Sequence, residues 1–315
     1  LRRGNAMDER DTVSPGAVKA VQGVNADFDL PPDAPDADRR RRLAEWIASP
    51  QNPLFSRVIV NRLWHYHFGA GIVATPNDFG YNGGRPSHPK LLDWLASEIV
   101  ARQWSLKAMH QLIVSSAAYR QSSHPQTKGV SKDASNRLLW RKSPVRLDAE
   151  SLRDAMLGIS GKLNPKRLGP GFRDVKINNF KGTTYYTPFD EENPELHRRT
   201  VYRFSPRGGR SAILDTFDCP DPAMTAPRRM VTTTPLQALA LLNNAFALRI
   251  GTHFANRVEQ TSESEETQAR HAYQLAFGRS PDPEELALAA NLISRHGIAA
   301  LTRVLFNSNE FVIIE

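Results

Sequence analysis

Helical stripes of apolar residues run along this chain on both sides of a long interruption, residues 164–230, in which glycine, proline and asparagine recur every few positions. That interruption constrains the fold most. The flanking stripes each give a helix one apolar face that needs a partner, whereas the middle carries no periodic face from which to build a core. On the N-terminal side, Leu43, Trp46 and Ile47 recur at i, i+3 and i+4 after Asp38, predicting a helix with an acidic N-cap that stops near Ser49-Pro50. Leu54, Val58, Val60, Leu63, Trp64 and Phe68 predict a second, opened by Pro53 and closed by Gly69. Pro89 opens a third through Leu91, Leu92, Trp94, Leu95, Ile99 and Val100, and Ser105 caps a fourth that is expected to continue through Ser115-Ser116 to Tyr119. A fifth is expected over residues 148–163, with Leu152, Ala155, Met156 and Ile159 on one stripe.

Inside the interruption the apolar residues are mainly Phe, Tyr and Val, and Thr200-Val201-Tyr202-Arg203-Phe204 alternates like a strand. Helical texture resumes at Thr234-Pro235 with a stripe through Leu236, Leu239, Leu242, Phe246 and Ile250, then over residues 265–277, 283–296 and 298–306. The expected class is therefore mainly α: a bundle-like helical body with an irregular segment carrying short strands in its middle. Residues 1–37, with Arg2-Arg3-Gly4-Asn5, Ser14-Pro15-Gly16 and Pro31-Pro32, read as an extended entry, and residues 38–315 as one domain.

Composition removes several functional classes. A single cysteine, Cys219, excludes an intramolecular disulfide, a Cys-rich zinc site and a thiolate-held iron–sulfur cluster, and no C-x-x-C-H haem attachment is present. No apolar run is long enough for a membrane span, and the first thirty residues lack a signal peptide's hydrophobic segment. Because the chain opens on Leu1, it is expected to be a piece of a longer protein. The 41 Lys and Arg against 33 Asp and Glu give a formal charge of +8, but the cations are spread among acids and no zinc finger or RNP motif exists, so no nucleic-acid partner is expected.

The residues able to carry chemistry are few. His65 and His67 lie at i, i+2 on a predicted helix, about 200° apart, and cannot both reach one metal; no H-E-x-x-H is present, and no metal site is expected. Asn77-Asp78 and Arg85-Pro86-Ser87-His88 form a turn-rich loop that reads either as a binding loop or as Asx turns and a helix N-terminus. Arg198, Arg199, Arg203 and Arg210 read either as an anion site or as ion-pair partners of Asp215, Asp218 and Asp221, with pairing favoured. There is no G-x-S-x-G, and Cys219 has no neighbouring histidine.

The wording of several blocks is that of a known family. Asn52-Pro53-Leu54-Phe55-Ser56-Arg57-Val58 leading into Val60-Asn61-Arg62-Leu63-Trp64, His67-Phe68-Gly69, Pro76-Asn77-Asp78-Phe79-Gly80 and Pro86-Ser87-His88-Pro89 resemble the domain of unknown function 1553. So do Trp104-Ser105-Leu106-Lys107, Tyr119-Arg120-Gln121-Ser122-Ser123, Asn136-Arg137-Leu138-Leu139-Trp140, Arg146-Leu147-Asp148-Ala149-Glu150, Phe217-Asp218 and Thr234-Pro235-Leu236-Gln237-Ala238-Leu239, in the family's order. The family is a planctomycete-type domain found after a planctomycete cytochrome c domain and a companion domain of unknown function 1549. The resemblance implies a haem-free C-terminal module of an exported (periplasmic or cell-surface), cytochrome-c-linked bacterial protein, docking or facing substrate. It places any haem c in an upstream domain, with no cofactor in this chain. The implied partners are those upstream domains; an anionic polysaccharide is the partner expected if the arginines form an anion site. It supplies no catalytic residues. The alternative is a hydrolase or polysaccharide-modifying enzyme with a pocket built from the Asp78/His88 loop and the Arg203 to Asp218 segment.

Because both helical regions need a partner for their apolar faces, they are expected to pack as one body with the irregular segment over it. One cooperative calorimetric transition and no separately stable proteolytic fragments would bear this out; two fragments, each with its own melt, would contradict it.

Overall fold

The computed structural model describes residues 5–8 and 11–314; the Arg2-Arg3-Gly4 part of the expected entry lies outside the described residues. The chain is mainly α and divides into two compact units, Leu1–Ser143 and Pro144–Glu315. In the first, helices α1 (Asp36–Ala48), α2 (Pro53–Phe68), α3 (Pro89–Ala101), α4 (Leu106–Val114), α5 (Ala117–Arg120) and α6 (Thr127–Lys132) follow the extended entry. Asn52 caps α2 by accepting from the Leu54 N–H, Pro53 starts it, and Gly69 ends it at φ 77°, a conformation costly for any side chain with a Cβ. The core joins Val60, Leu63, Trp64 and Phe68 of α2, Leu92, Leu95 and Ile99 of α3, and Met109 and Ile113 of α4. Asn61 is fully buried among them. Its amide donates to the Val73 carbonyl at 3.0 Å and accepts from the Val73 N–H at 2.8 Å, so one side chain pins the chain leaving α2.

Two expectations fail here. The first helix starts at Asp36 behind Pro35, with no side-chain cap, and buries none of its residues; Leu43 and Ile47 stay exposed. The expected run from Ser105 to Tyr119 breaks after Val114. The Ser116 hydroxyl donates to the Ile113 carbonyl at 2.7 Å and accepts from the Tyr119 N–H at 3.2 Å, a local competitor that ends one helix and caps the next.

The second unit contains β1 (Val145–Arg146), α7 (Ala149–Ile159), the hairpin strands β2 (Val175–Phe180) and β3 (Thr183–Pro188), then α8 (Ala212–Thr216), α9 (Pro235–Asn243), α10 (Ala245–Glu259), α11 (Glu265–Phe277), α12 (Pro283–His296), α13 (Ile298–Phe306), α14 (Asn309–Val312) and β4 (Ile313–Ile314). β1 and β4 pair antiparallel, Val145 opposite Ile314, which ties the unit's two ends together. Its core is α10 (Ile250, Phe254, Val258) against α13 (Leu301, Leu305, Phe306), with Leu152 and Met156 of α7 closing it. The long stripe expected from Leu236 to Ile250 is interrupted at Asn244, whose side chain caps α10 by accepting from Phe246 N–H, and Leu236 and Leu239 remain exposed.

The strand expected over residues 200–204 is instead a 3-10 turn, Thr200–Tyr202. Local β preference loses to tertiary hydrogen bonds: the Thr200 N–H and hydroxyl donate to Asp154 at 2.7 and 2.6 Å, which folds the backbone towards α7. The strands of the irregular segment are β2 and β3, turned at Lys181 (φ 47°) and Gly182 (φ 79°), the left-handed pair that suits a two-residue hairpin.

Replacing Asn61 by Ala leaves the Val73 donor and acceptor buried without partners, and should cost about 3 kcal/mol. Denaturant unfolding followed by tryptophan fluorescence checks it, because all five tryptophans (46, 64, 94, 104 and 140) lie in the first unit.

Candidate functional site

The two faces of α7 have different fates. Leu152 and Met156 enter the core, while Glu150 and Asp154, one turn apart at i, i+4, line a cavity of about 350 Å³ in the second unit. Asp148 starts the helix by accepting from the Ser151 N–H at 2.7 Å, which fixes the rotation of both faces. The opposite wall is made by Arg199, Thr200, Arg203, Cys219 and Arg229.

Each carboxylate of this cavity on α7 is engaged at both oxygens. Arg229 grips Glu150 with a two-bonded fork, Nη1 to Oε2 at 2.6 Å and Nη2 to Oε1 at 2.9 Å, which raises the Arg229 guanidinium above its usual range. Asp154 Oδ1 accepts from Thr200, and its Oδ2 from Arg199 Nε at 3.3 Å. The guanidinium donors are less fully engaged. Arg203, with a side chain 6% exposed, pairs Nε with Asp174 Oδ2 at 2.7 Å and leaves Nη2 buried without a partner among the described residues. Arg199 is 64% exposed at its side chain and contacts Asp154 through Nε alone. Cys219 Sγ lies 3.6 Å from Glu150 Oε1; burial, then the Glu150 charge, pushes the thiol up to about 11, so it is protonated at neutral pH and no nucleophile.

Behind the wall, Arg153 is buried between the rings of Phe172 and Phe246, 5.3 and 5.1 Å from its guanidinium carbon. It donates to the carbonyls of Leu196 and Arg198 and to the Thr200 hydroxyl. Burial pulls it down to about 10, opposed by Asp154 and Asp174, and it remains charged at neutral pH. Arg198 gathers the carbonyls of Lys166, Leu168 and Pro170 at 3.4, 2.7 and 2.8 Å.

The residues singled out from sequence are thus divided. Arg199 and Arg203 line the cavity. Arg210 does meet Asp215 and Asp221, at 3.8 and 3.9 Å. The expected pairing of Arg203 with the same acids is corrected: its partner is Asp174, and Arg199 takes Asp154. Asp218, in a left-handed conformation at φ 63°, accepts from the Thr232 N–H at 2.7 Å and from its hydroxyl, and fastens the chain ahead of α9. In the first unit, Asn77 accepts from Arg62 at 2.8 Å, Asp78 closes an Asx turn onto Gly80 N–H at 2.9 Å, Arg137 donates to the Arg85 carbonyl at 3.0 Å, and His88 Nδ1 sits 3.0 Å from the Ser87 hydroxyl. The Glu150–Arg229 fork and Asp154 are missing from the sequence reading. Glu150 stands there only as the last residue of the Arg146 to Glu150 block, and Glu150 and Asp154 form a polar pair at i, i+4 opposite the apolar stripe of α7, which any solvated helix also has.

Arg203→Met should destabilise the protein by about 3 kcal/mol, because Asp174 is left as a largely buried, unpaired carboxylate, and adding Asp174→Asn should recover part of that loss. Equilibrium melts of the two single variants and the double variant measure it.

The family model described as "Protein of unknown function (DUF1553)", PSD1, matches residues 39–293, which takes in the first helical region from Arg39, the whole cavity wall and the second helical region as far as Ile293 in α12. No curated protein and no solved structure matches the chain. With the match extending over most of its length, the chain belongs to the DUF1553 family.

Proposed function

We propose that the second unit binds a small oxyanion-bearing ligand, a carboxylate or a sulfate ester, in the cavity between α7 and the Arg199 to Arg203 turn. The observation that carries this reading is the imbalance of hydrogen-bonding capacity: all four oxygens of Glu150 and Asp154 are engaged, whereas Arg199, exposed and bonded through Nε alone, keeps both Nη groups free of protein partners among the described residues. A wall with an exposed guanidinium to offer and the two carboxylates on α7 occupied selects a ligand rich in acceptors. In this reading the chain is the haem-free, ligand-facing C-terminal module of a longer exported protein, and any haem belongs to an upstream cytochrome c domain that docks with it. Binding is favoured over hydrolysis because Glu150 and Asp154 lie in ion pairs and hydrogen bonds, Asp148, which also lines the cavity, is held as the N-cap of α7, and the thiol is protonated, which leaves the cavity without a ready nucleophile.

Thermal melts with sodium sulfate or glucuronate, against chloride at equal ionic strength, test it. A ligand that binds only the native state at 100 times its Kd adds about 2.7 kcal/mol. Wild type should show a saturable shift that Arg199→Ala, an exposed-site change that keeps the fold, reduces severalfold. An equal shift in the variant, as general salting-out gives, would refute the site.

A further inference from the structure

In the first unit, His67 at the end of α2 and His110 on α4 meet ring to ring, Nε2 of one 2.8 Å from Nδ1 of the other. A nitrogen–nitrogen hydrogen bond needs one ring to donate and the other to accept. The neutral pair satisfies this, and so does the pair with one added proton, carried on the donor ring's outer nitrogen. A second proton puts two N–H groups face to face, and the bond is lost. We infer that this imidazole pair is an acid-sensitive clasp between α2 and α4, closed with at most one added proton and opened by the second.

The surroundings point the same way. Lys142 is 4% exposed and donates to the His67 carbonyl at 3.1 Å and to the Ser143 carbonyl at 3.0 Å. Its ammonium faces the rings of Tyr119 and Phe68, at 4.8 and 5.8 Å. No carboxylate lies within ion-pair distance of it among the described residues. The Tyr119 ring of α5 stands edge-on to His67, 5.5 Å between centroids. The acids of α3 are engaged elsewhere, Asp93 by Arg57 at 2.7 Å and Glu98 by Arg102 at 2.9 Å. The clasp therefore has a buried cation beside it and no anion in contact, a setting that opposes a second positive charge, whether a proton or a metal ion. Burial, then His110, then Lys142, lower the His67 imidazole from its ordinary value. The sign follows: the unfolded chain binds more protons than the folded one below an ordinary histidine pKa of about 6.5, so this contribution is complete above that pH and is lost as pH falls through the depressed folded value.

The test is the melting temperature of the full chain between pH 7.5 and 5, read by tryptophan fluorescence, for wild type, His110→Gln and His67→Gln. Glutamine keeps a donor and an acceptor but takes up no proton. The wild-type midpoint should fall with acid by at least ~4 °C more than that of either variant, so that any advantage of wild type at pH 7.5 disappears or reverses at pH 5. Parallel curves for all three proteins would overturn the clasp. So would a steeper acid loss in the glutamine variants, because the titration would then reside elsewhere.

Discussion

Two guanidinium groups almost out of contact with water hold the irregular half of the second unit in place. Backbone outside a ladder must still satisfy its carbonyls, and the stretches on either side of the β2–β3 hairpin, residues 164–174 and 189–200, have few helical or strand partners for them. Arg153 takes those of Leu196 and Arg198, and Arg198 takes those of Lys166, Leu168 and Pro170. The two are chained, since the carbonyl of one is an acceptor for the other. Arginine suits this work because it has five N–H donors in a rigid plane and aromatic rings can cover its faces, as Phe172 and Phe246 cover Arg153 and Tyr202 covers Arg198. Arg257 does the same at the end of α7, donating to the Gly158 and Ile159 carbonyls at 3.2 and 2.6 Å.

The cavity is a consequence of that arrangement. Once Arg153 fixes the turn at Thr200 over α7, Asp154 lies within reach of the Thr200 N–H and hydroxyl, and Arg199 and Arg203 emerge on the two sides of the turn. Glu150 lies one turn earlier on the same face and meets Arg229 from the exposed chain that follows Cys219. The site is thus assembled from α7, the 3-10 turn at Thr200, Leu214 of α8 and the irregular chain bearing Cys219 and Arg229, with α7 setting the spacing of the carboxylates and the buried arginines setting the position of the donors.

Much of the fold was legible in sequence because it rests on local chemistry. The helices at 265–277, 283–296 and 298–306 coincide with their caps: Asp282 with Glu285 forms a capping box, and Gly278 and Gly297 take positive φ where helices stop. The mainly α class and the presence of a strand-bearing irregular segment followed from the same periodicities. The strand at 200–204 did not, since its alternation is real but its hydrogen bonds go to Asp154, 46 residues away. The breaks at Ser116 and Asn244 each turn on one polar side chain that serves a helix interior or a cap equally well in sequence. Of the site, the arginines were visible as a cluster but their partners were not. Asp174 and Asp154 are 29 and 45 residues from the cations they bind, and His67 is 43 residues from His110. Pairings of that range are set by packing and leave no spacing to read.

The central claim, that a buried guanidinium on α7 organises the irregular segment and with it the cavity, is tested most directly by hydrogen–deuterium exchange in Arg153→Lys. Lysine keeps the charge but reaches one point instead of three acceptors, so amides in residues 194–204 should exchange at least tenfold faster than in wild type while those of α10 and α13 stay unchanged. Unaltered protection across residues 194–204 would contradict the account, because the segment would then owe its order to something other than Arg153.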